Sequence, residues 1–461
     1  MPSNPESANS PTEAASAAEV VSETEVVSET EVAIKALYHS DPAREWQRHV
    51  RHRTEFAVTQ RALTDYLPPP PSRILDCGGG PGYYAIALTQ QGYQVTLFDL
   101  SPDLLALATE NAKSAGVKLS GYEQGTATDL KRFEDNAFDA VLLMGPLYHL
   151  LEADARLQAL REAYRVAKPG APVFAAFIGR YAGHRDAAAH YPENAYNNPE
   201  IYSTIAQTGL LPPSNDGQVG FVAYFAHPSE IGPLCAKAGF EIQTLLGLEG
   251  VVSTHEEKIN ALEGDAWRHW VGINYEIAHD PAILGGVEHM LAVCIKPRWR
   301  SALRDIALIL NKKVVPYKIV GGTALALRGI QVPVNDLDLE MTIDDTYRFE
   351  EIFKDFVIDA VQLRETEQWR SHIGRFDFHG VRVEVMGGLY RRVDQRWVPS
   401  FTETQATVLL DDVPITVLEL EEEVLAYLRR GKLERAALAL PHCNPDRLVA
   451  LLHEASLKGM I

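Results

Sequence analysis

A glycine-rich turn near the start of the chain has residue types suited to holding a ligand close to the backbone. The segment 73–84 reads RILDCGGGPGYY, so a short apolar strand ends at Asp76, and Gly78, Gly80 and Gly82 lead into a helix. Glycine is needed where a backbone must turn tightly and approach a ligand without a Cβ atom in the way. Such a turn alone is weak support for a function, because dinucleotide enzymes use a similar one.

Two acidic residues narrow the choice of ligand. Asp76 precedes the first glycine, where a carboxylate would repel a pyrophosphate but can meet the amino-acid part of a cofactor. Asp99 ends the next predicted strand and suits two hydrogen bonds to ribose hydroxyls. A turn followed by a helix-capping aspartate would explain either feature alone, but it explains the two together poorly.

Strands and helices alternate around these residues. Apolar runs predict strands over 73–76, 94–99, 138–143 and 171–178. Helices are predicted over 43–67, 83–91, 102–115 and 154–166. This alternation predicts an α/β fold with a doubly wound parallel sheet, which a strand over 289–296 would close.

At these motifs the sequence resembles the class I S-adenosylmethionine-dependent methyltransferases, in the branch that acts mostly on small molecules. LDCGGGPG is similar to their first motif, VTLFDLSPDLL to the second, FDAVLLMGPLYHL to the fourth, and LREAYRVAKPGAPVFAAF to the helix and strand that follow. The four motifs occur in order between about Tyr38 and Lys296. The resemblance implies a Rossmann-like domain and an enzyme that uses S-adenosylmethionine.

The resemblance also implies which residues bind the cofactor. The glycines would line its methionine part, Asp99 would hold the ribose, and the loop 125–129 (GTATD) would read the adenine. Many relatives carry an acidic residue where Thr126 stands, so Thr126 or the Ala127 backbone would make that contact here. The implied cofactor site comprises Asp76, Gly78, Gly80, Gly82, Asp99, Leu100, Thr126 and Ala127.

Tyr148 and His149, near the end of the fourth motif, are candidate catalytic residues. Methyl transfer is an in-line displacement that needs alignment, and it needs a base only where the acceptor must lose a proton. The two residues follow a strand at the edge of the sheet where the acceptor would lie. His149 could be that base, or equally a packing or hydrogen-bonding histidine. An aromatic-rich insertion at about 180–285 is predicted to form a lid and acceptor pocket, or the small core of a cap.

A second group of carboxylates lies in the C-terminal third of the chain. The segment 318–341 reads KIVGGTALALRGIQVPVNDLDLEM, and strand alternation places Asp336 and Asp338 on one face. A predicted hairpin puts Glu384 in a neighbouring strand. Three such carboxylates repel one another unless a cation lies between them, and two bridged Mg²⁺ ions can hold a triphosphate and activate a hydroxyl. Scattered acids on a solvated edge strand are the alternative.

This segment resembles the nucleotidyltransferase superfamily of polymerase-β-like fold, especially small bacterial members that carry GGxAL, over about residues 300–390. The resemblance implies that Gly321 and Gly322 approach a nucleoside triphosphate and that Asp336, Asp338 and Glu384 bind Mg²⁺. The segment 333–335 stands where relatives frequently carry a basic residue. The remaining sequence is predicted to form supporting helices over 418–430 and 445–457.

Composition bounds the kind of protein and its partners. The chain has 461 residues, a formal net charge of −19 and four cysteines without metal spacing, so we expect a cytoplasmic enzyme. No apolar run is long enough for a membrane span. The acidic charge disfavours nucleic acid as a partner, and the locally basic segment 44–53 is interpreted as a solvated helix face.

The sequence therefore predicts three parts. An acidic disordered tail covers 1–35, a methyltransferase domain covers 36–297, and a smaller α+β nucleotidyltransferase-like domain covers 300–461. The predicted acceptor of the methyl group is a small molecule. Two alternatives stay open: a regulatory or antitoxin-like module whose C-terminal domain modifies or binds a protein partner, and an RNA methyltransferase.

Overall fold

The computed structural model describes residues 29–40, 42–211, 221–400 and 404–457. Its strands form two sheets, one for each of the two predicted domains. The strands of the first sheet are β1 (Arg73–Cys77), β2 (Gln94–Asp99), β3 (Gly121–Gln124), β4 (Ala140–Leu143), β5 (Pro172–Gly179), β6 (Leu210–Leu211), β7 (Ala223–Ala226), β8 (Glu241–Gly247) and β9 (His289–Ile295).

Fourteen α-helices accompany this sheet in the described residues. They are α1 (Glu29–Ser40), α2 (Pro42–Arg51), α3 (Arg53–Tyr66), α4 (Tyr83–Gln90), α5 (Pro102–Ser114), α6 (Pro146–His149), α7 (Ala153–Val166), α8 (Ala182–His190), α9 (Glu193–Asn197), α10 (Pro199–Thr208), α11 (Pro228–Lys237), α12 (Glu256–Asn260), α13 (Gly264–Ile277) and α14 (Pro281–Leu284).

The first sheet is doubly wound. Strands β3, β2, β1, β4 and β5 are parallel neighbours in that order, and β9 lies antiparallel between β5 and β8. All eight residues of β5 are buried, as expected for a strand covered on both faces. The chain leaves β1 toward β2 on one side and toward β4 on the other, which opens a crevice at the carboxyl ends of these strands. The predicted Rossmann-like sheet is confirmed.

The segment 180–285 does not form the single lid that the sequence had predicted, because part of it belongs to the first sheet. Strand β8 pairs along β9, and helix α11 precedes it and contacts both β8 and α7, so both belong to the sheet layer. Aromatic composition alone does not separate a cap from an edge strand, because both bury rings on one side. Helices α8 to α10 stand outside the sheet, with Tyr191 and Tyr196 largely exposed.

The N-terminal prediction needs two corrections. Residues 1–28 of the predicted disordered tail lie outside the described residues, but residues 29–35 form the first half of α1, where Ile34 is buried. A helix of this composition would be unstable in isolation, and packing against the rest of the first domain stabilises it. The single helix predicted over 43–67 is two helices, because the backbone of His52 leaves the helical region at φ −110°, ψ 45°.

The second sheet is mixed and has the order β12-β13-β14-β11-β10-β17-β16, with β15 paired to β14. Its strands are β10 (Lys318–Val320), β11 (Asp336–Met341), β12 (Val357–Glu365), β13 (Trp369–Phe378), β14 (Val381–Val393), β15 (Arg396–Pro399), β16 (Ala406–Leu410) and β17 (Val413–Val417). The helices of this part are α15 (Arg298–Lys313), α16 (Gly321–Ala326), α17 (Ile343–Ile352), α18 (Leu420–Arg429), α19 (Leu433–Ala439) and α20 (Pro445–Leu457).

Each sheet has its own apolar core, and α15 connects the two parts. Trp299 packs in the core of the second sheet, while its indole N–H donates to Glu241 Oε1 of β8 at 2.8 Å. None of the described helices combines the length and the apolar composition that a membrane crossing requires.

Candidate active sites

A cavity lies at the carboxyl ends of β1 to β4, where helices α1 to α3 cover it. It holds about 1200 Å³ of empty space, part of which is open to solvent. Most of the residues that the sequence assigned to the cofactor and the catalytic site lie on its wall. They are Gly78, Gly80, Asp99, Leu100, Thr126, Ala127, Tyr148 and His149. Asp76 and Gly82 are not part of this wall.

The glycine turn has a conformation that side chains would disrupt. Gly78 has φ +78° and Gly80 has φ +52°, both in the left-handed region that glycine tolerates best. A Cβ atom on Gly78 would lie 2.4 Å from Cδ of Pro146, at the start of α6. The turn after β1 and the turn after β4 therefore approach each other closely on the wall of the cavity.

Asp99 lies on the cavity wall and is nearly buried. Its Oδ2 accepts the Gly80 N–H at 2.8 Å, and its Oδ1 accepts the Ser101 N–H at 2.8 Å. Each oxygen keeps a further lone pair that a hydroxyl could reach. Burial raises the pKa of Asp99 to about 6, so the side chain is an ion at neutral pH.

Asp76 lies behind the glycine turn. A Cβ atom on Gly79 would be 2.5 Å from Asp76 Oδ2, so the carboxylate supports the turn from below. This Oδ2 is buried and accepts no hydrogen bond from the described residues. Burial, and then the charge of Asp99, raise the pKa of Asp76 to about 7.

Gly82 serves helix packing in this structure. It caps α4 with φ +89°, and a Cβ atom there would lie 3.2 Å from Cβ of Ala108 in α5. The absence of a side chain therefore lets α4 and α5 approach each other. Its position supports the turn rather than a cofactor contact.

The predicted adenine loop follows β3 and contributes Gly125, Thr126 and Ala127 to the wall. A Cβ atom on Gly125 would lie 2.6 Å from the ring of Phe98, so glycine is required there for space. The Thr126 hydroxyl is 3.0 Å from that of Thr128. The loop therefore offers a hydroxyl and backbone groups in place of a carboxylate.

His149 lies at the end of α6 and is buried. Its Nδ1–H donates to the carbonyl of Val222 at 2.9 Å, and its Nε2 accepts from the Tyr38 hydroxyl at 2.8 Å. Burial lowers the pKa of His149 to about 4. The ring is therefore neutral, and both nitrogens are engaged with groups distant in the sequence.

Sequence reasoning missed the contribution of the N-terminal helices to this wall. Residues of α1 to α3 that line the cavity are Glu31, Ile34, Lys35, Tyr38, Glu45, Arg48, Glu55 and Phe56. The basic segment 44–53 is not simply a solvated face: Arg48 lies 2.9 Å from Glu55 and 3.0 Å from Nε2 of His289 in β9. The cluster of arginines near Trp46 was the only sequence feature that could have indicated this contribution. Composition cannot tell which of these arginines points into the protein.

The carboxylates of the second domain meet on neighbouring strands. In the parallel pair β11 and β14, Asp338 stands opposite Glu384, and Asp336 lies two residues away on the same face. Burial, together with Asp336 and Glu384, raises the pKa of Asp338 to about 7. Glu384 Oε2 also accepts from Nε of Arg375 at 2.8 Å. This crowding of carboxylates favours a cation between them.

The glycine pair packs directly against these acids. Gly321 has φ +75°, and a Cβ atom there would be 2.9 Å from Asp338 Oδ2. Its N–H donates to Oε1 of the buried Glu423 at 2.7 Å, so this amide already has a partner. A Cβ atom on Gly322 would be 2.6 Å from Nη1 of Arg435.

Basic residues missed by the sequence prediction come from α19 and from the turn between α18 and α19. Arg430 and Lys432 are close enough to oppose the rise in the pKa of Asp338, and Arg435 covers Gly322. These cations stand about 100 residues after the DxD motif in the chain, so no local pattern connects them with it. They provide the positive charge that the segment 333–335 lacks.

The chain matches two protein families in succession. A family described as "Methyltransferase domain" matches residues 75–175, and a family described as "Aminoglycoside-2''-adenylyltransferase" matches residues 302–438. A ubiquinone biosynthesis O-methyltransferase of Pseudomonas entomophila is 30% identical over 178 residues, which are 38% of this chain and 67% of that protein.

Two solved structures are similar to different parts of the chain. A protein assigned as a nucleotidyltransferase of Thermotoga maritima has 31% sequence identity, covers 35% of this chain and 96% of its own, and has a TM-score of 0.29. An S-adenosylmethionine-dependent methyltransferase of Methanosarcina mazei has 21% identity, covers 51% of this chain and 97% of its own, and has a TM-score of 0.36.

Proposed function

Because the chain belongs to the S-adenosylmethionine-dependent methyltransferases and carries a nucleotidyltransferase-type domain after them, we propose that it methylates a small molecule. We further propose that the same protein transfers a nucleotide in a Mg²⁺-dependent reaction. The observation that carries the first proposal is the position of Asp99 on the wall of the cavity, held by the Gly80 and Ser101 amides.

In the proposed cofactor complex, the glycine turn contacts the methionine part and Asp99 accepts from the two ribose hydroxyls. Leu100, Thr126 and Ala127 lie on the wall beyond Asp99 and would enclose the adenine. A ligand that bears a positive sulfonium centre is favoured in this cavity by the ionised Asp99. Asp76 would act from behind, by fixing the turn.

The acceptor would enter between the turn after β4 and the N-terminal helices. The cavity wall there is rich in aromatic rings, namely Phe56, Tyr83, Tyr84 and Tyr148. The similar ubiquinone biosynthesis enzyme is named an O-methyltransferase, so an oxygen acceptor is the first choice. We propose that Tyr38 contacts the acceptor and that His149 positions Tyr38, because a histidine with a pKa of about 4 is a weak base.

In the second domain, the proposed reaction is attack of a hydroxyl on the α-phosphorus of a nucleoside triphosphate, with release of pyrophosphate. Asp336, Asp338 and Glu384 would hold Mg²⁺, which supplies charge neutralisation of the phosphates. Arg430, Lys432 and Arg435 would bind the triphosphate oxygens. Arg375 would have to release Glu384, since the two side chains are paired at 2.8 Å.

The test is calorimetric titration of the purified protein with S-adenosylmethionine, then with ATP, CTP, GTP and UTP in the presence of Mg²⁺. We expect one site for S-adenosylmethionine, at least tenfold weaker in Asp99→Ala and unchanged in Glu110→Ala, which removes an exposed acid of α5. We expect nucleotide binding to be lost in Asp336→Ala/Asp338→Ala. Unchanged cofactor affinity in Asp99→Ala contradicts the ribose assignment, and unchanged nucleotide binding in the double variant contradicts the metal assignment.

A further inference from the structure

Two groups of histidine and glutamate side chains lie side by side where α3 begins, next to β9 and to the turn before α12. In each group the potential ligand atoms all lie within 4.8 Å of one another. The first group consists of Glu55, Glu249 and His289, and the second consists of His52, Glu256 and Glu288. The methyl transfer proposed above assigns no role to either group.

The first group is already neutralised by protein atoms. The guanidinium of Arg48 lies 2.9 Å from Glu55 Oε2 and 3.0 Å from His289 Nε2. The other ring nitrogen of His289, Nδ1, is 2.5 Å from Glu249 Oε1. Glu249 Oε2 accepts a hydrogen bond from the backbone N–H of His289 at 2.9 Å. The charged side chains of this group already have partners of opposite charge, so we interpret the first group as a structural ion-pair network.

The second group is different, because one of its carboxylate oxygens has no hydrogen-bond partner among the described residues. His52 Nδ1 lies 2.8 Å from Glu256 Oε2, but Glu256 Oε1 is buried and has no hydrogen-bond partner in the described part of the chain. Glu288 accepts from the Ser253 hydroxyl at 3.2 Å. A cation is therefore the missing element of this group.

We propose that His52, Glu256 and Glu288 bind one divalent cation of the Zn²⁺ or Mn²⁺ class. One imidazole nitrogen and two carboxylates are a donor set that these ions accept, and such a set leaves further coordination positions open. The cation replaces the proton shared by His52 and Glu256, and it gives Glu256 Oε1 a partner. It also links the junction of α2 and α3 to the segment before β9.

The open coordination position of the proposed cation lies next to the cofactor cavity. His52 and Glu55 lie on the wall of the same cavity as Asp99, so a cation on His52 borders the space assigned to the acceptor. An oxygen of the acceptor is thus the external ligand that the site would take. This step alone rests on the proposed methyl transfer, whereas the cation site itself does not.

The first experiment is calorimetric titration of the untagged full chain with ZnCl₂ and with MnCl₂. It uses the Asp336→Asn/Asp338→Asn background, which removes two of the three carboxylates proposed to bind metal in the second domain. We expect one site, with at least tenfold weaker binding in Glu256→Gln and in Glu288→Gln. Glu257→Gln, which changes an exposed neighbour, should bind as the background does. Absence of binding in the background, or equal binding in all variants, overturns the proposal.

The second experiment leaves the site unaltered and does not depend on how the Glu256 and Glu288 variants fold. Pulsed electron paramagnetic resonance of bound Mn²⁺ in the same background should show coupling to the nitrogen of one histidine. Mn²⁺ without nitrogen coupling overturns the assignment of His52. Titration with S-adenosylmethionine in the same sample separates the two proposals: cofactor binding without the cation site removes only this inference, and the cation site without cofactor binding removes only the methyltransferase assignment.

Discussion

At the scale of single residues, burial decides the charge of the groups that surround the cofactor cavity. Asp99 and Asp76 are both nearly inaccessible, and their pKa values are raised to about 6 and about 7. In the free protein, Asp76 is therefore about half protonated near pH 7, and Asp99 near pH 6. A cationic ligand stabilises the ionised form, so ligand binding and deprotonation are coupled.

This coupling predicts that S-adenosylmethionine binds more weakly at low pH. The ionised fraction of a group with a pKa of about 6 falls between pH 7.5 and 5.5, so the affinity should fall about fourfold from Asp99 alone. It should fall further if Asp76 is also ionised in the complex. Calorimetric dissociation constants at pH 5.5, 6.5 and 7.5 measure the effect. A constant affinity over this range would show that neither carboxyl changes its protonation on binding.

The contact between Tyr38 and His149 gives a second prediction at this scale. Tyr38→Phe removes the donor to the buried Nε2 of His149, which should lower the free energy of unfolding by about 1 to 2 kcal/mol. If Tyr38 contacts the acceptor, kcat should fall at least tenfold, while the dissociation constant of S-adenosylmethionine stays within about twofold. Denaturant unfolding, calorimetry and steady-state kinetics separate these effects. A variant with lower stability but normal kcat would leave the pair a purely structural role.

At the scale of elements, the cofactor cavity depends on two turns that touch each other. The turn after β1 and the start of α6 after β4 approach so closely at Gly78 and Pro146 that no side chain fits between them. Residues of helices α1 to α3 line the same cavity. A change at this contact should therefore move the wall of the cavity and not only the local backbone.

Gly78→Ala tests this contact. The left-handed backbone and the overlap with Pro146 should together lower the free energy of unfolding by about 2 to 3 kcal/mol and weaken S-adenosylmethionine binding at least tenfold. Gly116→Ala is the matched control, because Gly116 has φ +70° but nothing within 4 Å of a built Cβ atom. In the control, the free energy of unfolding should fall by only about 1 kcal/mol, and the affinity for S-adenosylmethionine should not change. Equal losses in both variants would show that backbone strain, and not the contact, governs the result.

At the scale of the whole molecule, each sheet buries a core of its own, and α15 joins the two parts. The hydrogen bond between Trp299 and Glu241 crosses from one part to the other. The two candidate sites lie on different sheets, with no described residue common to both. We therefore expect ligand binding in one part to stabilise chiefly that part.

Differential scanning calorimetry tests this expectation. S-adenosylmethionine at about 100 times its dissociation constant should stabilise the part that binds it by about 2.7 kcal/mol, and so raise one transition. ATP with Mg²⁺ should raise the other transition, and Asp336→Asn/Asp338→Asn should abolish only this second effect. A single transition that both ligands raise would show instead that the two parts unfold as one unit.

The sequence by itself determined the local features of this protein. Several strands and helices lie close to their predicted bounds, and the turn at Gly78 and Gly80 lies where it was predicted. These predictions succeed because hydrophobic periodicity and the backbone sterics of glycine act within a few residues. The two family resemblances rest on the same local motifs, and the matching families agree with them.

The tertiary structure alone decided which distant side chains meet. It placed Arg48 against His289, Tyr38 against His149, and Arg430 and Lys432 near Asp338. It also showed that β8, within the segment predicted as a lid, belongs to the first sheet. Helix α1 begins within the tail that composition had predicted to be disordered. No local pattern encodes these contacts, because they depend on how helices and strands pack, and packing fixes the burial and the charge on which the chemistry of each site depends.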